Sequence, residues 1–143
     1  MPSTALTPHG RSPAERRTRT ALFFYAMALF MATHWPHPPQ VIDVPGIDKL
    51  EHLIAYAGLG LLLARHFFFQ WQHPLHVLAL SIGVVGLFAA LDELLQIPVG
   101  RQCDWRDWLA DLSGAILGWG TVSVVVVTRR RLKTAAPRPE SET

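Results

Sequence analysis

Four long apolar runs, each fenced by charged residues, constrain this chain more than anything else in its 143 residues. A bilayer core about 30 Å thick is spanned by roughly 20 helical residues at about 1.5 Å each. The clearest run extends over residues 75–97, and its stretch 77–91 contains no charged side chain. Three more approach the same length at about residues 19–35, 50–69 and 108–128. Only 17% of the chain is charged, against about a quarter in a typical soluble domain. Four apolar helices in so short a chain leave too little polar sequence to build a soluble shell. The pattern therefore predicts an all-α, four-transmembrane-helix bundle with short loops. Flanking tails over 1–18 and 129–143 are rich in Pro, Ser, Thr and charge, which predicts disorder. The expected domains are thus a tail, a membrane domain over 19–128, and a basic, polar tail. The first run is preceded by Arg16, Arg17 and Arg19, like a signal peptide, but no A-x-A-like cleavage site follows it, so a retained anchor is expected.

Charge sets the orientation. With both termini and the second inter-helix loop in the cytoplasm, ten of the thirteen basic residues lie inside, leaving Lys49, Arg101 and Arg106 outside. The acids run the other way, with eight of eleven outside, so the inner side carries +7 and the outer side −5. This expectation places an integral protein in a membrane with both termini on the cytoplasmic side. Its expected neighbours are membrane lipids, and no nucleic acid is expected as a partner.

The topology sends three polar stretches to the outer end. In the first, Asp48, His52 and Tyr56 form an i, i+4 stripe, with Lys49 about 100° round. In the second, Asp92 and Glu93 close the third span, and each can share a face with Gln96. In the third, Arg101 precedes Asp104, Asp107 and Asp111, which align on one helical face. An intramembrane carboxylate costs roughly 2.5–3.5 kcal/mol at mid-bilayer on insertion scales and less near the ends, so each needs a partner. Arg101, Lys49 and His52 are the obvious ones. These eleven residues form the candidate binding set, with His52 and Glu93 as the candidate proton-transfer pair. A network that merely clamps the helices together is the structural alternative. No cofactor is predicted. His52 with Glu93, Asp107 or Asp111 would suit a hard or borderline divalent cation, although no His-x-x-x-His or cysteine pair supports one. The single cysteine, Cys103, excludes an internal disulfide, and neighbouring acids disfavour its thiolate. His34, His37, His66, His73 and His76 read as interfacial residues. Gly114-x-x-x-Gly118 permits close helix contact, within the chain more simply than between copies.

The ordered set Asp48-Lys49-x-x-His52, Glu93-x-x-Gln96, Gly100-Arg101-x-x-Asp104-x-x-Asp107 and Gly114-x-x-x-Gly118 resembles the VanZ-like family of small bacterial membrane proteins. The family commonly has asparagine where this chain has Asp111. The resemblance implies an envelope protein of the kind linked to resistance against a glycopeptide. The leading expectation is an outward-facing pocket for a polar lipid, a cell-wall precursor or an amphiphilic antibiotic. A membrane hydrolase or transferase acting on a lipid-linked substrate, an ion-coupled transporter and a scaffold are the alternatives. Sidedness is checked with fusions: a reporter active only in the cytoplasm should work at Thr143 and be silent near Gln102, and the opposite pair would overturn the orientation.

Overall fold

The structure, a computed structural model, describes residues 12–34, 46–99 and 105–135, with Gln96 and Val99 by backbone alone. Among these residues there are four α-helices and no strand: α1 Pro13–Thr33, α2 Ile47–Phe67, α3 Pro74–Gln96 and α4 Trp105–Ala135, with a 3-10 turn Ile97–Val99 after α3.

Local chemistry explains where the helices begin and how far they run. Ser12 caps α1 by accepting from the Glu15 N–H at 3.1 Å, and Pro13 follows with φ already suited to a first turn. The helix therefore starts within the segment 1–18 expected to be disordered, and arginine-rich sequence propagates it. At the other end of the chain α4 runs on to Ala135, so residues 129–135 are helical rather than part of a disordered tail. Proline at the start of α3 ends the preceding turn.

The helices run up and down. Arg65 Nε donates to Thr18 Oγ1 at 3.0 Å, and Arg130 Nη1 donates to the Gln72 carbonyl at 2.8 Å. These contacts bring the α1 N-terminus, the α2–α3 connection and the α4 C-terminus to one basic end. The ends of α1 and α3 and the starts of α2 and α4 meet at the other.

Helix α2 is the hub, and its most extensive partner is α4. Glycines make that approach close. A Cβ on Gly114 would strike the backbone of Leu53 and Ala57, and one on Gly118 the backbone of Ala57, Gly60 and Leu61. Gly60 in turn lies against the backbone of Ala115. The small-residue spacing on α4 is thus used within the chain. Gly58 has a different partner, the Tyr25 ring of α1, whose hydroxyl donates to the Ala55 carbonyl at 2.7 Å. Tyr56, Leu59, Leu63, Val85, Ala89, Ala115 and Leu29 fill the core.

The distribution of polarity is inverted relative to a soluble bundle. Large apolar side chains face outward on every helix, among them Phe23, Phe24, Ile54, Leu87, Leu94, Ile116 and Val124. Thr18, Thr33, Ser81, Asp92, Glu93, Asp111 and Ser123 are buried. Apolar surface of this extent on a monomer marks contact with lipid or protein. By length and composition, two of the described helices are apolar enough to cross a membrane, the segments Pro74–Leu95 and Trp105–Ala135.

A methyl group added at Gly83 would meet nothing within 4 Å, unlike one at Gly118. Gly118→Ala should therefore destabilise the protein by about 1–3 kcal/mol, the usual range for overpacking. Gly83→Ala should be neutral or slightly stabilising, because alanine is the better helix former. Melting of both variants in detergent checks this, and equal melting temperatures would contradict the packing described.

Candidate functional site

Three helices contribute carboxylates to the non-basic end of the bundle, and the pitch of each helix decides where they point. Asp92 and Glu93 are adjacent on α3 and about 100° apart, so they face different neighbours. Both are buried, at 2% and 4% exposure.

Asp92 turns toward α1 and α2. Thr33 Oγ1 donates to its Oδ1 at 2.8 Å, His34 Nδ1 lies 3.4 Å from the same oxygen, and the Tyr56 hydroxyl stands 3.5 Å from Oδ2. His34 also donates from Nδ1 to the Phe30 carbonyl at 2.9 Å and stacks on the Phe30 ring, with centroids 4.0 Å apart.

Glu93 turns toward α2 and α4. One ligand-type atom from each of His52, Glu93 and Asp111 lies within 4.8 Å of the other two. His52 Nδ1–H donates to Asp111 Oδ1 at 2.8 Å, and Asp111 is 1% exposed. The His52 and Tyr56 rings are nearly parallel, 9° apart, with centroids separated by 6.2 Å.

One turn closer to the helix ends, ahead of the apolar stretch that begins at Leu50, Lys49 Nζ reaches Asp48 Oδ2 at 2.7 Å and Asp107 Oδ1 at 3.1 Å. The hydrogen bond from Lys49 holds the Asp48 carboxyl below its ordinary pKa, and hydrogen bonds to Asp48 and then Asp107 hold the Lys49 ammonium above its own. Helices α2 and α4 are thus laced twice, Lys49 to Asp107 and His52 to Asp111, on positions three apart in one helix and four apart in the other.

Of the residues singled out in the sequence, Lys49, His52, Tyr56, Asp92, Glu93, Asp107 and Asp111 converge at this end. Asp48 belongs to the cluster through Lys49, but is itself exposed. Helix α2 is turned so that Lys49, rather than Asp48, meets α4. Gln96 is on α3, and Arg101 and Asp104, like Cys103, lie outside the described residues. Thr33 and His34 are additions, since the sequence alone reads His34 as an interfacial residue and gives Thr33 no role. Their signal is position: polar side chains at the exit of α1, at the depth where α3 carries Asp92.

A cleft of about 180 Å³ opens beside this cluster, between α1 and α2. Leu29, Ala32 and Ala55 give it an apolar side, and Thr33, Glu51, His52 and Tyr56 a polar one. Another cavity, about 410 Å³, is at the basic end, where Arg65 and Arg129 border an otherwise mainly apolar lining of Leu61, Phe68, Phe69, Val122, Val125 and Val126. Its described lining has no acid–base pair. The groups gathered at the acidic end are of the kinds suited to proton exchange between a histidine and carboxylates, to oxygen-rich coordination, and to hydrogen bonding with a hydroxylated or ammonium-bearing group.

If the His52–Asp111 bond couples α2 to α4, a double-mutant cycle with His52→Ala and Asp111→Ala should give an interaction energy of about 1–3 kcal/mol. Additive losses of melting stability would mean that the two residues act independently.

A family model described as VanZ/LLP1 matches residues 5–126 of the chain. The match agrees with the resemblance carried by the ordered motifs. No curated protein and no solved structure matches.

Proposed function

Because the chain belongs to the VanZ/LLP1 family, we propose that it is an envelope membrane protein whose acidic end takes up the polar head of an amphiphile. The carrying observation is the two-sided cleft between α1 and α2. Its apolar side suits an acyl or isoprenoid chain, while Thr33, Glu51, His52 and Tyr56 offer donors and acceptors to a head group. A polar lipid, a lipid-linked cell-wall precursor and an amphiphilic antibiotic share that chemistry. Resistance to glycopeptides or to envelope stress would follow from binding any of them.

The proposal includes the membrane arrangement. Helices α1 and α2 are 21 residues each and run antiparallel beside the two more apolar helices. Phe23, Phe24, Met27 and Met31 of α1 are exposed, as expected of a lipid-facing surface. All four helices then cross the bilayer, with both termini cytoplasmic and the acidic end outside, in keeping with the distribution of basic residues.

A second reading has an observation of its own. His52 and Glu93 come close enough to exchange a proton through a bound substrate or one water, which suits a hydrolase or transferase acting on a lipid-linked substrate. Transport is less well served. The polar groups buried farther from the acidic end include the hydroxyls of Ser81 and Ser123, and among the described residues no buried carboxylate continues the path.

A deletion strain profiled against wall-active and membrane-active agents, then complemented, tests the proposal. Wild type should restore tolerance. Glu93→Ala and Arg101→Ala should fail to do so at unchanged membrane levels, by a fourfold or greater drop in inhibitory concentration (roughly 1 kcal/mol of lost ligand affinity). Full complementation by both variants would sink the assignment. Turnover of lipid phosphates by purified protein would favour the enzyme reading over binding.

A further inference from the structure

We propose that His52, Glu93 and Asp111 form a binding site for one divalent cation of borderline softness, of the Zn²⁺ class. The proposal rests on the pocket reading and deepens it, since the ion would sit beside the cleft that His52 lines.

Three observations support it, each of a different kind. The first is convergence. The three residues come from α2, α3 and α4, far apart along the chain, yet their ligand-type atoms all lie within 4.8 Å of one another. Neighbouring ligands placed tetrahedrally around an ion with bonds of about 2.0–2.2 Å are separated by about 3.3–3.6 Å. His52 Nδ1 and Asp111 Oδ1, now 2.8 Å apart across a hydrogen bond, reach that spacing by opening about 0.5–0.8 Å as the ion displaces the Nδ1 proton, and a Glu93 ligand atom lies within 4.8 Å of both residues.

The second is an unsatisfied atom. Asp111 is 1% exposed, and while Oδ1 accepts from His52, its Oδ2 is buried with no hydrogen-bond partner among the described residues. A buried carboxylate oxygen left this way is costly, and a cation held by both oxygens of Asp111 satisfies it.

The third is donor chemistry. One imidazole and two carboxylates suit Zn²⁺, Mn²⁺ or Fe²⁺ better than soft ions, which prefer thiolates. Three protein ligands leave a coordination position for water or for an oxygen of a head group. Around the set, the Tyr56 ring lies nearly parallel to His52 at 6.2 Å and its hydroxyl approaches Asp92, so the neighbouring Asp92 cluster adjoins the three ligands. A cation there would also give the acidic end something its carboxylates lack, an attraction for the phosphate or carboxylate of an amphiphile.

The test uses full-length protein purified in detergent, stripped with chelator, dialysed and titrated with Co²⁺. Wild type should develop visible d–d absorption that saturates near about one ion per chain and is displaced by Zn²⁺. Asp111→Asn, which preserves shape and removes charge, should weaken binding on the order of a hundredfold or more. Glu93→Gln and His52→Ala should do likewise, while Ser123→Ala, buried elsewhere in α4, should titrate like wild type. Melting without metal identifies any variant that has failed to fold, and the shape-preserving Asp111→Asn decides the matter if His52→Ala does so. Absence of saturable Co²⁺ absorption in wild type, or equal binding by wild type and Asp111→Asn, overturns the proposal. That result leaves the pocket reading standing if Glu93→Ala and Arg101→Ala still fail to complement. A bound ion together with full complementation would retain the metal site and remove the pocket.

Discussion

Contact between two backbones governs this bundle. Gly114 and Gly118 let α4 lie directly on α2, so close that a methyl group at either position would enter the facing main chain. Asp107 and Asp111 precede those glycines by seven residues each, or about two turns, and therefore occupy the same face of α4. Seating the glycines aims the carboxylates. Lys49 and His52 meet them because the same contact fixes the rotation of α2. The acidic end is a consequence of the seam, and its geometry is set by packing that contains no charge.

The burial of charge follows a similar logic. Inside an apolar surrounding each ionised group must find an opposite charge or a hydrogen bond. Asp92 finds hydroxyls and a histidine from α1 and α2, whereas Asp111 finds His52. Adjacent residues on α3 thus serve two separate clusters, joined by Tyr56, whose ring lies along His52 and whose hydroxyl approaches Asp92. An asparagine in place of Asp111 would offer His52 an amide without the charge.

Much of this is legible in the sequence because the signals are local. Apolar run length fixes the existence of α3 and α4, and i, i+4 spacing puts His52 with Tyr56 and Asp107 with Asp111. Helix limits are harder to read. The Ser12–Glu15 cap that starts α1 sits among prolines and arginines that suggest a tail, and α4 outruns its apolar stretch by seven residues because arginine and lysine are good helix formers. The roles of Thr33 and His34 are not legible, since they depend on the rotation of α1 about α2, set by Tyr25 against Gly58. Nor does spacing alone distinguish Asp48 from Lys49 as the residue that faces α4.

Helix α4 is also a ruler. From Asp111 to Arg129 is eighteen residues, a rise of roughly 27 Å, nearly the thickness of a bilayer's hydrocarbon. In the proposed arrangement, with the arginines among the phosphates of one leaflet, the aspartate would rest just under the opposite headgroups. Inserting or deleting a single turn between them would move the carboxylate about 5 Å up or down relative to the arginines, changing its depth without altering its chemistry.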